Sequence, residues 1–275
     1  MSKAILLLIL FVVAWLGLNS LERRSLYFPD RTMSATPGVY RLVYEDLHLL
    51  ATDGTKIHGW YMPGTSPLTI LLCHGNAGNI SHRLDKAMRL HSIGVGLLFF
   101  DYRGYGLSEG SATELGTYQD AEAAYRYLVE IKRLKPDKII FYGESLGCAV
   151  ATEMAIRHPA AGLILESPFT STVAMARRIF PWLPVRWIVR YRYDNLSKIP
   201  KIKMPLLILH SPQDEIVPFA MGQELFVAAP SPKYFVELVG DHNEGYAEAG
   251  DRYNAAVKEF LSRIRATPLT SGGSH

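Results

Sequence analysis

Short apolar runs recur along the chain at Leu68 to Cys73, Val95 to Phe100, Lys138 to Tyr142, Ala161 to Leu165, Leu206 to Leu209 and Tyr234 to Val239. Between most of them lie stretches with helical spacing, among them Ser81 to His91, Leu115 to Leu134 and Cys148 to Arg157. Runs too short and too apolar to be half-exposed, alternating with helices, predict a mainly parallel sheet covered on both faces. Two earlier segments, Leu42 to Leu49 and Lys56 to Met62, flank the turn Asp53-Gly54 and predict an antiparallel hairpin that begins the sheet. In sheets of this kind ligands gather at the carboxyl ends of the strands, so chemistry is sought just after each run.

Two segments break the rhythm. From Pro168 to Lys203 eight lysines and arginines stand against Asp194 alone, together with Trp182, Trp187, Tyr191 and Tyr193. One crossover needs far fewer residues, so this stretch is expected to be a small cap insertion, with Ile179, Phe180 and Leu183 among the residues offered to an acyl chain. At the other end of the pattern, Ala4 to Leu18 is unbroken apolar sequence behind Lys3. About 18 uncharged residues at ~1.5 Å each reach ~27 Å, near one bilayer core. Residues 1–21 are therefore expected to form a single-pass amino-terminal membrane anchor, with a cleaved signal segment or a buried helix as the alternatives, and the basic cap is expected to rest near that membrane. Residues 22–39 read as a tether, 40–266 as one α/β domain, and 267–275 as a polar tail.

Composition narrows the field. A hydrophobic fraction of 48% over 275 residues is ample for one core, and a net charge of +3 without long basic runs argues against a nucleic-acid partner. Cys73 and Cys148 make no disulfide framework, and no HExxH or CxxC cluster suggests a metal or other cofactor.

The chemical signal is Gly143-Glu144-Ser145-Leu146-Gly147, placed directly after one apolar run and before an alanine-rich helical stretch. A serine on such a strand-to-helix turn is lifted out of the sheet, and the flanking glycines relieve a crowded backbone. A hydroxyl nucleophile needs a base, and the base needs an acid to fix its tautomer. In strand–turn–helix sites of this kind the acid and then the histidine follow later strands. Asp214 follows Leu206 to Leu209, and His242 follows Tyr234 to Val239. Glu215 and Glu166 compete with Asp214 as the acid, while Asp241 reads as a turn residue. The N–H of Leu146 is one expected oxyanion donor. The other should come from His74-Gly75-Asn76-Ala77-Gly78-Asn79, with Asn76 preferred over Ala77 and His74 supporting the loop.

The segments HGNAGN, DYRGYGLSEG, GESLG and DEIVP resemble those of the α/β-hydrolase superfamily, in particular its membrane-anchored members, over about Tyr40 to Arg263. The resemblance implies the α/β-hydrolase fold with an eight-stranded sheet, no cofactor, and an active-site floor shaped by Asp101 to Gly110. The sequence departs from it at Ser211, where relatives often have glycine. The expected activity is hydrolysis of a carboxylic ester or thioester, including lipid-like or acylated substrates, through an acyl-serine. A peptidase or amidase with the same triad and a non-catalytic binding protein are the alternatives.

Overall fold

The computed structural model describes residues 17–266. Eight strands form one sheet: β1 (Glu45–Leu50), β2 (Lys56–Met62), β3 (Thr69–Cys73), β4 (Gly96–Phe100), β5 (Ile139–Glu144), β6 (Gly162–Glu166), β7 (Leu206–His210) and β8 (Lys233–Glu237). Their spatial order is β8-β7-β6-β5-β3-β4-β2-β1. β2 runs antiparallel to both neighbours, and every other pairing is parallel. This is the α/β-hydrolase fold that the motifs implied. The strands fall within a few residues of the apolar runs; β1 alone starts three residues late, at Glu45.

The inner parallel strands β3, β4, β6 and β7 are buried along their whole length, as is β5 up to Glu144, while the edge strand β8 is only half-buried, and alternate residues feed two separate cores. Leu71, Cys73, Phe141, Leu163 and Ile208 face α2 (Glu114–Arg126) and α3 (Gly147–Arg157). Ile70, Leu72, Ile140, Ile164 and Leu207 face α1 (Leu84–Ser92) and a carboxyl-terminal helix, Asp251–Ala266. Period-two alternation thus explains why each run reads as continuously apolar: both faces are covered. The expected helix at Ser81 begins as a single 3-10 turn, Ile80–Arg83, because the Asn79 side chain accepts from Ser81 N–H and caps it.

The insertion between β6 and β7 holds α4 (Thr172–Ile179) and α5 (Val185–Ile188). Its aromatics split in role. Trp182 and Trp187 are exposed, whereas Tyr193 is fully buried. Of the apolar residues expected to meet an acyl chain, Ile179, Phe180 and Leu183 lie open to solvent.

The expectation of a single-pass, membrane-anchored protein requires correction. Among the described residues no helix is long and apolar enough to cross a membrane. Residues 17–26 are helical but carry Glu22, Arg23 and Arg24, and the Glu22 carboxylate accepts the N–H groups of Arg190 at 2.7 Å and Tyr191 at 2.9 Å in the insertion. Residues 1–16, which hold most of the apolar run, lie outside the described residues, as does the polar tail from Thr267. The membrane contact expected of the insertion was drawn from its eight basic residues and its aromatics, with the anchor only bringing the membrane near, and without that anchor it is carried no further.

After this helix the chain crosses the loop that follows β3. Tyr27 hydroxyl meets Tyr193 hydroxyl at 2.8 Å, and Phe28–Pro29 pair in parallel with Ala77–Gly78. The segment after β4 supports the same loop from the other side: Tyr102 hydroxyl donates to His74 O, Tyr105 hydroxyl to Asn76 O, and Ile80 N–H to the buried Asp101 carboxylate. That segment is itself pinned by Arg103, whose guanidinium grips Asp120 on α2 at 2.8 Å and Asp53 in the hairpin turn at 2.7 Å. Burial raises the Asp120 carboxyl to about 6 even though hydrogen bonds and charge from Arg103 pull the other way. An Asp120 left without its partner would be a buried, unpaired charge. Arg103→Met is therefore expected to destabilise the fold by about 3–5 kcal/mol. A denaturant midpoint within error of the wild type would show that the pair carries no such load.

Candidate active site

β5 ends at Glu144 and α3 starts at Gly147, leaving only Ser145 and Leu146 to reverse the chain. Ser145 adopts φ 51°, in the left-handed region that disfavours side chains. Its N–H donates to Glu166 O at 2.9 Å, fastening the turn to β6. The two glycines are required by contact. A Cβ on Gly143 would lie 2.4 Å from Cys148 Cα, and one on Gly147 would lie 1.9 Å from Cys73 O at the end of β3. The turn is thereby pressed onto the start of the Asn76 loop.

Three side chains from three loops meet here. Ser145 Oγ lies 2.9 Å from His242 Nε2, and His242 Nδ1 lies 2.7 Å from Asp214 Oδ2. An ionised carboxylate only accepts, so the ring proton belongs on Nδ1, and Nε2 is left to accept from the serine hydroxyl. The other Asp214 oxygen accepts the N–H groups of Ile216 and Val217 at 3.0 and 2.7 Å. Glu215 reaches only the backbone N–H of His242, at 3.1 Å, and Asp241 accepts from Asn243 and Glu244 N–H within its own turn. Glu166 is bound by Lys86 and Tyr142. Neither Glu215 nor Glu166, the two competitors, touches the histidine ring.

The Asn76 side chain is turned away, donating to Leu26 O at 3.1 Å, while its carbonyl accepts from Phe28 N–H and Tyr105 hydroxyl. What Asn76 can offer a reacting group is its N–H. Among the described residues, neither that N–H nor the N–H of Leu146 donates to another protein group.

Comparison with known proteins places this architecture. The chain is 31% identical over 274 residues to the α/β-hydrolase domain-containing protein WAV2 of Arabidopsis thaliana, covering 90% of this chain and 89% of that one. The chain belongs to the α/β-hydrolase superfamily. It is also 36% identical over 247 residues to an uncharacterised protein of Mycobacterium tuberculosis, covering 88% of each. The family model described as serine aminopeptidase, S33, matches residues 65–197. Among solved structures, a Pyrococcus furiosus esterase shares the fold, with a TM-score of 0.73 at 22% identity over 87% of this chain and 98% of that one.

Electrostatics in this α/β-hydrolase favour a charged acid and a basic histidine. Burial opposes ionisation of Asp214, but donors from His210, His242 and Val217 outweigh it and hold the carboxyl well below the usual range. Burial likewise opposes the His242 imidazolium, yet the Asp214 hydrogen bond and charge, helped by Glu144 and Glu166, raise it above its ordinary value. His74 is different. Complete burial pushes it down to about 4, so it stays neutral and braces its loop, its Nδ1 2.7 Å from Gly75 O.

Two parts of the site escaped sequence reading. His210, the last residue of β7, is fully buried with Nε2 3.3 Å from Asp214 Oδ2 and 3.1 Å from Val217 O. Both neighbours are acceptors, so the proton sits on Nε2 and His210 orients the acid; its place at the end of the strand before Asp214 was the available signal. The second is the ion cluster around Lys86, described below. Ser211, the departure from the family pattern, also has a role. Its hydroxyl donates to Gly240 O at 2.5 Å and accepts Gln213 N–H, tying the Asp214 loop to the loop that carries His242.

The balance at His242 can be measured. Because Asp214 stabilises the imidazolium, the ring should titrate above ~6.5, the unperturbed value, and Asp214→Asn should lower its pKa. NMR titration of the His242 ring protons tests this; a pKa that does not fall in Asp214→Asn would assign the shift to another group.

Proposed function

We propose that this α/β hydrolase is a serine hydrolase that cleaves a carboxylic ester or thioester through an acyl-serine intermediate. The observation that carries the reading is the unbroken hydrogen-bonded chain from Ser145 Oγ through His242 to Asp214. Ser145 Oγ attacks the acyl carbon and passes its proton to His242 Nε2, while Asp214 stabilises the imidazolium. The oxygen of the tetrahedral intermediate takes up negative charge in front of the N–H groups of Leu146 and Asn76. Collapse of the intermediate breaks the bond to the alcohol or thiol, which leaves with the proton from His242. Water then attacks the acyl-serine by the same steps and releases the acid, returning the proton to Ser145. Each oxyanion donor is worth roughly 2.7–4 kcal/mol in reactions of this type.

A second reading, cleavage of aminoacyl amides, draws on the match to the serine aminopeptidase family model. The machinery is the same; an amine leaves more reluctantly and relies on the imidazolium as acid. A panel of acyl esters, acyl thioesters and aminoacyl amides separates the two by kcat/KM.

Fluorophosphonates phosphonylate an activated serine, so the probe should label Ser145 in the wild type. Ser145→Ala is expected to abolish both labelling and ester turnover, and adding His242→Ala to it should cost little more, because the residues act as a unit. Wild-type turnover by a folded Ser145→Ala protein would refute the assignment.

A further inference from the structure

Beneath the Ser145 turn lies a set of charges that the reaction above does not use. α1 and the turn before it send two cations inward. Lys86 Nζ lies 2.7 Å from Glu144 Oε2 and 2.8 Å from Glu166 Oε2, with its side chain 2% exposed. Arg83 lies 3.4 Å from Glu144 Oε1 and donates to Asn79 O at 3.2 Å. Glu144 immediately precedes Ser145, Glu166 ends β6 and holds Ser145 N–H through its carbonyl, and Asn79 closes the Asn76 loop. One short piece of chain therefore grips all three pieces of backbone that frame the nucleophile. The charges balance at two against two. Around Lys86 the remaining polar neighbours are uncharged: the Tyr246 ring centroid at 4.4 Å, and Tyr142 and Tyr253, whose hydroxyls meet at 2.7 Å beside Glu166.

Stability alone is a poor reason for this arrangement, since buried ion sets can often be replaced by apolar residues at no loss. Directional bonds supply what apolar packing does not, namely a fixed spacing between loops. We infer that Lys86, together with Arg83, is a positioning residue: it braces and neutralises Glu144 and Glu166 so that the Leu146 and Asn76 N–H groups converge on one oxygen. The inference rests on the proposed acyl-serine reaction, in which a donor is effective only within ~2.7–3.1 Å of the oxyanion.

A consequence for pH follows from the neighbours of His242. Asp214 faces it from the loop after β7 with His210 behind, Glu215 holds its N–H, Ser145 faces Nε2, and Glu144 and Glu166 act from β5 and β6. Removing Lys86 leaves excess negative charge near the imidazolium, which raises the pKa of the base. Since the base must be neutral, activity then needs a higher pH.

The test is the pH profile of kcat/KM for a nitrophenyl ester, with melting curves to confirm folding. Fluorophosphonate labelling of wild-type Ser145, measured first, decides the reaction itself: no labelling would overturn that reading and the inference with it, whereas labelling leaves the brace to be decided by the variants. In Lys86→Met the acid limb should move up by ~0.5 unit or more. Its kcat should fall at least ~10-fold with KM within ~3-fold, as expected when an interaction made only in the transition state is lost. Lys86→Met/Glu166→Gln restores the charge balance without the brace, so the limb should return while kcat stays low. Glu144→Gln should move the limb the other way, and it supplies the answer if Lys86→Met does not fold. Unshifted limbs in every folded variant, or a rise in KM with kcat intact, would overturn the inference.

Discussion

The backbone reversal between β5 and α3 is the constraint on which the rest depends. A serine at positive φ stores about 1–3 kcal/mol of strain, which persists only where the surroundings over-determine it. Here they do. The Ser145 N–H is fixed to Glu166 O, and the side-chain-free faces of Gly143 and Gly147 let α3 and the end of β3 close to distances that no Cβ would tolerate. The same reversal aims Oγ at His242 and, among the described residues, leaves the Leu146 N–H without a protein partner. Relaxing it would lose the nucleophile and one donor together.

Around that turn the protein spends burial on charge. Asp214 stays ionised because four donors face it, from His242, His210, Ile216 and Val217. His242 is drawn toward the imidazolium by the same carboxylate, and the two glutamates beneath the turn are matched by Lys86 and Arg83. In a poorly screened interior these interactions are felt over several ångströms, so the cluster under the elbow and the histidine above it share one electrostatic balance.

Much of this was legible in the sequence. Buried parallel strands announce themselves as apolar runs, and chain order singled out Ser145, Asp214 and His242, which the fold joins by hydrogen bonds. Lys86 was not legible. It sits among Leu84, Ala87 and Leu90 on the buried side of an amphipathic helix, where helical periodicity reads a lysine as a solvent-facing exception. Its partners are 58 and 80 residues away, and only the strand order brings them together. The amino-terminal reading went astray for a related reason. Apolar length was weighed as membrane length, whereas among the described residues no helix is long and apolar enough to cross a membrane; the segment after the run, through Glu22, Tyr27 and Phe28, is tied to the insertion and the Asn76 loop by contacts that no local pattern encodes. For Asn76 the sequence identified a loop but could not tell which way its amide faces.

The central claim is that Ser145 carries the acyl group during turnover. Mixing the protein with a slowly deacylating nitrophenyl ester, quenching in acid and mapping the peptides by mass spectrometry tests this directly. The account predicts one equivalent of nitrophenol released per chain in a fast phase, with the acyl mass on the peptide containing Ser145. Turnover of the ester with that peptide unmodified and the acyl mass on another residue would contradict it.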